Sequence, residues 1–266
     1  MSEGRCLILG GRGFIGSALT AEAHRRGWQV TAVGSRNSAD VVGGSFDLVI
    51  NANGNSRKYW AQQHPAEDFD ASVRTVARSL QEIRAARYLY LSSSEVYADP
   101  SDPQRNAEDT PYDPSRLSPY GFHKYLAELL VRRYAHNWAI LRLSGLVGPH
   151  LRKNSVYDLL NGRPLHVHPD SEFQFVDTRY LARLAFDLLE RGALDRTELN
   201  IGGEGVVSVR EIASWIGRPL SREEEKRPRT RCELCLERLR RWVDIPATKE
   251  TVRAFVREWQ GKGGAL

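Results

Sequence analysis

The sequence predicts an α/β protein, built on a doubly wound parallel sheet with a small C-terminal lobe. Three observations predict it: a glycine-rich turn directly after the first apolar run, an alternation of short apolar runs with helical patterns as far as Pro149, and the loss of that alternation beyond it. Strands that alternate with helices pair in parallel, because each helix carries the chain back across the sheet.

In order, Cys6-Leu7-Ile8-Leu9 reads as a buried strand, and Ile15, Ala18, Leu19 and Ala23 recur at helical spacing before Gly27. Gln29–Val33 supplies the second strand and Phe46–Asn51 the third, after an unusually short connection. Phe69, Val73, Val76, Leu80 and Ile83 mark one face of a long helix over 68–83, and Tyr88–Leu91 reads as the next buried strand. Pro119 starts a helix carrying Leu126, Leu129, Leu130 and Tyr134, and Trp138–Leu143 gives a further strand. Beyond Pro149 short segments rich in Pro, His and Arg surround one helix over 181–189 and one strand over 199–201. A closing helix from near Thr248 places Val252, Phe255, Val256 and Trp259 on one face. The expected division is a nucleotide-binding domain over 1–149, to which 174–200 return, and a substrate-binding lobe formed by 150–173 and 201–266.

Composition narrows the function classes. With 266 residues, 41% hydrophobic and 27% charged, the chain can bury one sizeable core. No apolar run approaches bilayer length, and Met1-Ser2-Glu3-Gly4-Arg5 leads into the first strand without a cleavage-type sequence, so a cytoplasmic protein with no membrane partner is expected. Three cysteines are too few for a disulfide framework. The net charge of +5 raises the question of a nucleic-acid partner. In the most basic stretch, Arg218–Arg241, arginines are interleaved with Glu223, Glu224, Glu225, Glu233 and Glu237, which weakens any one-sign patch. A small anionic ligand explains the excess more simply. Cys232 and Cys235 have half a zinc-site spacing that His166 and His168 would have to complete. The ordinary reading places Cys235 as a packing residue in a helix with Leu234 and Leu239, the two histidines on a strand or against substrate, and no metal.

Gly10-Gly11-Arg12-Gly13-Phe14-Ile15-Gly16 lies where a phosphate loop lies, between the first strand and the first helix. Glycines at 10, 13 and 16 permit a tight turn, close approach of backbone N–H groups to a pyrophosphate, and close helix packing, which is the Rossmann arrangement. The helix N-terminus favours the anion. Twenty residues beyond Gly16, where a carboxylate would bind an NAD ribose, stand Gly34-Ser35-Arg36. Arg36 and Arg12 suit a 2′-phosphate, with Ser35 beside them, so NADP(H) is the expected cofactor and NAD(H) the alternative.

Tyr120 and Lys124 are four apart in a helix and share a face. Bringing a phenol from its ordinary pKa to near 7 takes about 4 kcal/mol, and a nearby ammonium supplies a large part of it. Leu91-Ser92-Ser93-Ser94-Glu95-Val96-Tyr97 follows a buried strand and puts hydroxyls at the sheet's carboxyl edge, where such proteins bind ligands.

The glycine loop, the Ser-Ser-Ser-Glu-Val-Tyr segment and Tyr120-Gly121-Phe122-His123-Lys124 together resemble the extended short-chain dehydrogenase/reductase family, the nucleotide-sugar epimerase and dehydratase group. The resemblance extends through Glu108-Asp109-Thr110-Pro111, Leu141–Pro149 and Asn200-Ile201-Gly202-Gly203. It implies that Ser93 hydrogen-bonds the substrate oxygen, that Tyr120 exchanges the proton, and that Lys124 binds the nicotinamide ribose and lowers the Tyr120 pKa. It also implies that Asn51, Ala52 and Asn53 end a strand beside the cofactor, and that the helix over 68–83 and the Tyr120 helix pack in a homodimer. Glu95 resembles the carboxylate that assists dehydratases, but Ser94 stands where 4,6-dehydratases usually carry Asp. Gly145 and Phe173 stand where relatives gripping a nucleotide diphosphate often show Asn and Arg.

The expected function is an NADP-dependent oxidoreductase, reductase or epimerase, that moves a hydride at a carbinol or keto carbon of a sugar or nucleotide sugar. Dehydration using Glu95 is the alternative within the same chemistry. A non-catalytic NADP-binding sensor or interaction protein is the alternative of a different class, against which the intact Ser93, Tyr120 and Lys124 count.

Overall fold

A computed structural model describes residues 4–34, 38–111 and 113–263. Two compact units emerge: one from Met1–Ala98, Pro111–Leu143 and Ala182–Leu199, the other from Asp99–Thr110, Ser144–Leu181 and Asn200–Leu266. Segments 99–110 and 144–149, expected in the first domain, thus cluster with the second, and the return to the first begins at Ala182 rather than at 174. Hydrogen bonds explain the first difference: Asn106 accepts the Cys235 N–H at 2.7 Å, and Glu108 accepts the Asn200 N–H at 2.8 Å.

The first unit opens with β1 (Arg5–Leu9), α1 (Phe14–Arg25), β2 (Gln29–Val33) and β3 (Ser45–Asn51). It continues through α2 (Lys58–Gln63), α3 (Pro65–Phe69), α4 (Thr75–Glu82), β4 (Arg84–Ser93), α5 (Pro119–Tyr134) and β5 (Trp138–Leu143). Next along the chain come β6 (Gly145–Val147), α6 (Ser155–Leu160), β7 (Glu172–Phe173), β8 (Phe175–Asp177), α7 (Thr178–Glu190) and β9 (Thr197–Ile201). The six-stranded sheet has the order β2-β1-β3-β4-β5-β9. Its pairs β1–β2, β1–β3, β3–β4 and β4–β5 are parallel. Leu7, Val49, Tyr90 and Ile140 bury the sheet against Val76 of α4 and Ala127 and Val131 of α5. Because β2 is an edge strand and β3 returns to the other side of β1, the strand order reverses at β1, leaving a crevice at the carboxyl ends where the glycine turn begins.

The helix expected over 68–83 begins three residues earlier, at Pro65, and contains a π turn over Asp70–Arg74. A π turn inserts a residue and rotates the helix face by about 100°. Within and beyond this turn, Val73 and Val76 are buried as the spacing predicts; upstream the phase slips, so that Phe69 is 41% exposed while Asp68 is fully buried.

The second unit adds β10 (Val207–Ser208), α8 (Val209–Ile216), β11 (Arg231–Cys232), α9 (Glu237–Arg240) and α10 (Thr248–Gly261). Two small sheets, β6-β8 and β10-β7-β11, enclose a core of Val147, Val156, Phe175, Ile212, Val252 and Phe255. Phe173 packs edge-on to Phe175, which gives the residue at the missing-arginine position an apolar role. Cys235 lies in the loop before α9 rather than in a helix, because its backbone is held by Asn106 and by Asn200, whose amide donates to the Cys235 carbonyl at 3.0 Å. His166 and His168 lie outside the strands; His168 donates its N–H to the Pro228 carbonyl and its Nδ1 accepts the Asp170 N–H. Much of the basic stretch is paired: Arg218 with Glu224, Arg231 with Glu172 and Glu233, Arg238 with Glu108 and Asp109, Arg240 with Glu204 and Glu237. Among the described residues no helix is long and apolar enough to cross a membrane.

Candidate active site

The glycine turn is a backbone structure. Gly10 adopts φ +77°, its N–H donates to the Val33 carbonyl at 2.8 Å, and the Gly13 N–H returns to the Gly10 carbonyl at 2.9 Å. A Cβ at Gly16 would overlap the Gly10 carbonyl oxygen, and one at Gly10 would sit 2.8 Å from the Ala52 carbonyl oxygen. The turn therefore presses the start of α1 onto the ends of β1 and β3. Gly13 caps α1 without a side-chain hydrogen bond, and the first turn, with Phe14, Ile15 and Gly16, holds no acidic residue. This bare cradle, with its N–H groups facing an open helix start, fits a dinucleotide pyrophosphate.

At the end of β3, Asn51 turns inward: its Nδ2 donates to the Tyr88 hydroxyl at 2.7 Å, and its Oδ1 accepts the Asn53 N–H at 3.0 Å. Asn51 thus shapes the strand end, leaving the backbone of Ala52 and Asn53 beside the glycine turn. Arg12 is exposed within the turn. Ser35 and Arg36, the other expected 2′-phosphate contacts, lie outside the described residues.

At the other side of the crevice, the structure brings Ser93, Tyr120 and Glu95 together, with Lys124 one turn further along α5. Ser118 caps α5 by accepting the Gly121 N–H at 3.2 Å, and Pro119 occupies the first helical position, so Tyr120 projects from the first turn. A Cβ at Gly121 would overlap the Glu95 carbonyl oxygen, so only glycine lets α5 approach the turn after β4 this closely. Burial pushes the Tyr120 phenol well above its ordinary pKa; a hydrogen bond from Ser93 opposes this, and the Glu95 and Asp68 carboxylates add to it. The Ser93 hydroxyl also accepts the Glu95 N–H at 3.3 Å, capping the short 3-10 turn Ser94–Val96.

Lys124 departs from the expected pairing. Its ammonium donates to the Leu91 carbonyl at 3.0 Å and stands 5.0 Å over the Tyr90 ring. Burial pulls its pKa down to about 8 against the opposing pull of Glu128 and Asp68. The causes acting on Tyr120 are burial, Ser93 and two carboxylates, so with this geometry the phenol is neutral rather than made acidic by Lys124. Four further residues shape the site without having been singled out from the sequence. Lys58 of α2 forms an ion pair with Glu95, Gly121 sets the helix approach, and Glu128 and Asp68 are fully buried carboxylates behind α5. Glu128 accepts from Ser92 at 2.6 Å, from Arg142 at 2.8 and 3.1 Å, and from Arg132 at 2.8 Å. Burial works against its charge, but the arginines hold its carboxyl below the usual range.

A doubly wound fold with a bare glycine turn and a Ser-Tyr-Lys group at the sheet's carboxyl edge defines a nicotinamide-dinucleotide enzyme of the extended short-chain dehydrogenase/reductase type. Residues 6–169 match the family model described as Epimerase, NAD dependent epimerase/dehydratase family, and the chain belongs to that family. It is 25% identical to the dTDP-glucose 4,6-dehydratase of Xanthomonas campestris pv. campestris (strain B100), over 83% of this chain and 78% of the relative. A UDP-galactose 4-epimerase crystal structure superposes with a TM-score of 0.78 at 22% identity, covering 97% of this chain and 99% of the other. The dTDP-4-dehydrorhamnose reductase of Bacillus anthracis str. Ames, solved in complex with NADP, also gives 0.78, at 17% identity and 97% and 99% coverage.

Proposed function

We propose that this enzyme is an NADP-dependent reductase or epimerase acting at a carbinol or keto carbon of a nucleotide sugar. The observation that carries the reading is the buried, neutral Tyr120 phenol hydrogen-bonded to Ser93 at the carboxyl edge of the sheet that also bears the glycine turn. When bound, the nicotinamide supplies or takes the hydride. Ser93 orients the substrate oxygen, and Tyr120, protonated in the resting site, donates its proton to that oxygen as a ketone is reduced and recovers it in the reverse direction. Lys124, one turn away, holds the cofactor ribose. The relatives act on dTDP- and UDP-sugars by name, which supports a nucleotide sugar as substrate. Arg12 in the turn, the absence of a carboxylate at 34–36 and the NADP-bound reductase relative support NADP(H). The smaller unit is read as the substrate-binding lobe. Exposed Phe69 on α3 and Phe122 and Leu129 on α5 support a homodimer packed through these helices.

The test incubates purified protein with NADPH or NADH and a panel of 4-keto nucleotide sugars. Loss of nicotinamide absorbance with NADPH is expected, and no loss with any substrate would count against a reductase. Dehydration is the second reading, favoured by the 4,6-dehydratase relative and by Glu95 standing beside Tyr120. It predicts loss of one water from a nucleotide hexose by mass spectrometry, abolished in Glu95→Gln.

A further inference from the structure

Two carboxylates with no solvent exposure stand behind the proton-handling face: Glu128 on α5 and Asp68 on α3. Their partners differ in charge. Glu128 is met by Arg142 and Arg132, and Arg132 also pairs with Glu198, so two guanidiniums balance two carboxylates. Asp68 accepts from Asn55 Nδ2 at 2.9 Å and Ser72 Oγ at 3.4 Å, and it meets the His123 ring Nδ1 at 2.6 Å. Among the described residues no Lys or Arg forms an ion pair with it. A buried carboxylate without a fixed cation is costly unless a counter-charge stands close by. The buried cation available is Lys124, 6% exposed and next to His123 in α5. Lys124 is itself held, among the described residues, by a carbonyl and an aromatic face, neither of which balances an ammonium.

We propose that Asp68 is the buried counter-ion of Lys124, a positioning residue that keeps this ammonium charged at the site. The inference rests on the reading of Tyr120 and Lys124 given above. The geometry supports it twice. Asp68 grips Asn55, the neighbour of Gly54, and a Cβ on Gly54 would stand 3.8 Å from the Lys124 Nζ, so the same carboxylate tethers the loop beside the ammonium. Asp68 also grips His123, fixing the turn of α5 from which Lys124 projects. The field acts in the matching direction, since Glu128, whose charge its arginines balance, and then Asp68 oppose the fall that burial imposes on Lys124.

The other groups around the pair come from every neighbouring element. They include Tyr120 and Glu128 on α5, the latter with its arginines, Tyr90, the Leu91 carbonyl and Ser93 on β4, and Glu95 in the following turn with Lys58 of α2. Asp68 is the acidic member of this set whose partners carry no permanent positive charge. Removing a negative charge makes an ammonium easier to deprotonate, so loss or neutralisation of Asp68 lowers the Lys124 midpoint.

The test is carbon-13 NMR titration of lysine Cε in the full chain; there are six lysines, and Lys124→Arg assigns the signal. Asp68→Asn, near-isosteric, is expected to lower the Lys124 midpoint by about one pH unit. His123→Arg, which keeps the carboxylate but neutralises it, is expected to shift the midpoint the same way, whereas His123→Gln leaves it at the wild-type value. An unmoved midpoint in Asp68→Asn, or in His123→Arg should Asp68→Asn not fold, overturns the proposal. A fall in His123→Gln equal to that in Asp68→Asn also overturns it, by tracing the effect to packing. Because turnover is not read, a shift in a protein that reduces none of the candidate sugars sinks only the functional reading.

Discussion

The two sides of the crevice in the first unit are built on opposite principles. The glycine side is backbone: three glycines, an uncapped helix start and no ionisable group in the first turn of α1. The tyrosine side is made of side chains, and its floor holds Asp68, Glu128, Arg142 and Lys124, each less than 9% exposed. A backbone cradle has little to adjust, since a methyl group either fits or does not. A floor of buried charges is adjustable in acidity, because each desolvated charge acts on its neighbours through a weakly screening medium. The first kind of arrangement suits a phosphate by shape; the second suits control over where protons reside, as the proposed function requires.

Single substitutions should separate these principles. The largest effect is expected from Tyr120→Phe, which removes the proton donor without changing the fold: turnover should fall by about 10³-fold while NADPH affinity, read by fluorescence titration, stays near wild type. Glu128→Ala should leave Arg142 buried without its carboxylate and lower stability by about 3–5 kcal/mol, measured from the urea midpoint. Gly16→Ala should act in the reverse sense to Tyr120→Phe, weakening NADPH binding at least about tenfold by lifting α1 off the turn. An equal loss of cofactor affinity in Tyr120→Phe and Gly16→Ala would erase the distinction drawn here.

The pH profile addresses the adjustable side alone. Lys124 has a folded-state pKa of about 8, below its ordinary 10.5, so its ammonium is present below that value and is lost as pH rises through it. Tyr120 is shifted upward and stays protonated over the same range. In the free enzyme kcat/KM should therefore decline above about pH 8 with a single proton lost, and cofactor affinity should decline along with it. A limb that persists in Lys124→Met would assign the proton elsewhere.

How legible each side was in the sequence follows from the same difference. The glycine turn is contiguous, so its spacing after an apolar run revealed its place between β1 and α1. Strands, the Tyr120 helix and the Ser93 position were legible because apolar period and flanking Pro and Ser cues agree. The charged floor was not, because several of its contacts join residues far apart in the chain, Ser92 with Glu128 at a separation of 36 and Asp68 with His123 at 55. Glu128, one turn beyond Lys124, shares its helix face and offered a signal that was open to reading. Asp68 was hidden by a physical irregularity: the π turn over Asp70–Arg74 moved the helix phase, so apolar spacing pointed to Phe69 as the inward residue and away from the carboxylate that lies there. Lys58 carried no sequence signal, since its meaning comes only from meeting Glu95.

The smallest expected effect lies on the backbone side, at the arginine within its turn. Arg12 is exposed, so any contact it makes with a 2′-phosphate is screened by solvent and salt, unlike the contacts on the buried floor. Arg12→Ala should weaken NADPH by only a few-fold, leave NADH unchanged, and lose that difference as ionic strength rises. Parallel titrations of the two cofactors at low and high salt read this directly. If Arg12→Ala weakened NADPH and NADH equally, the arginine would be serving the pyrophosphate, and the expectation of NADP(H) would fall back on Arg36 alone.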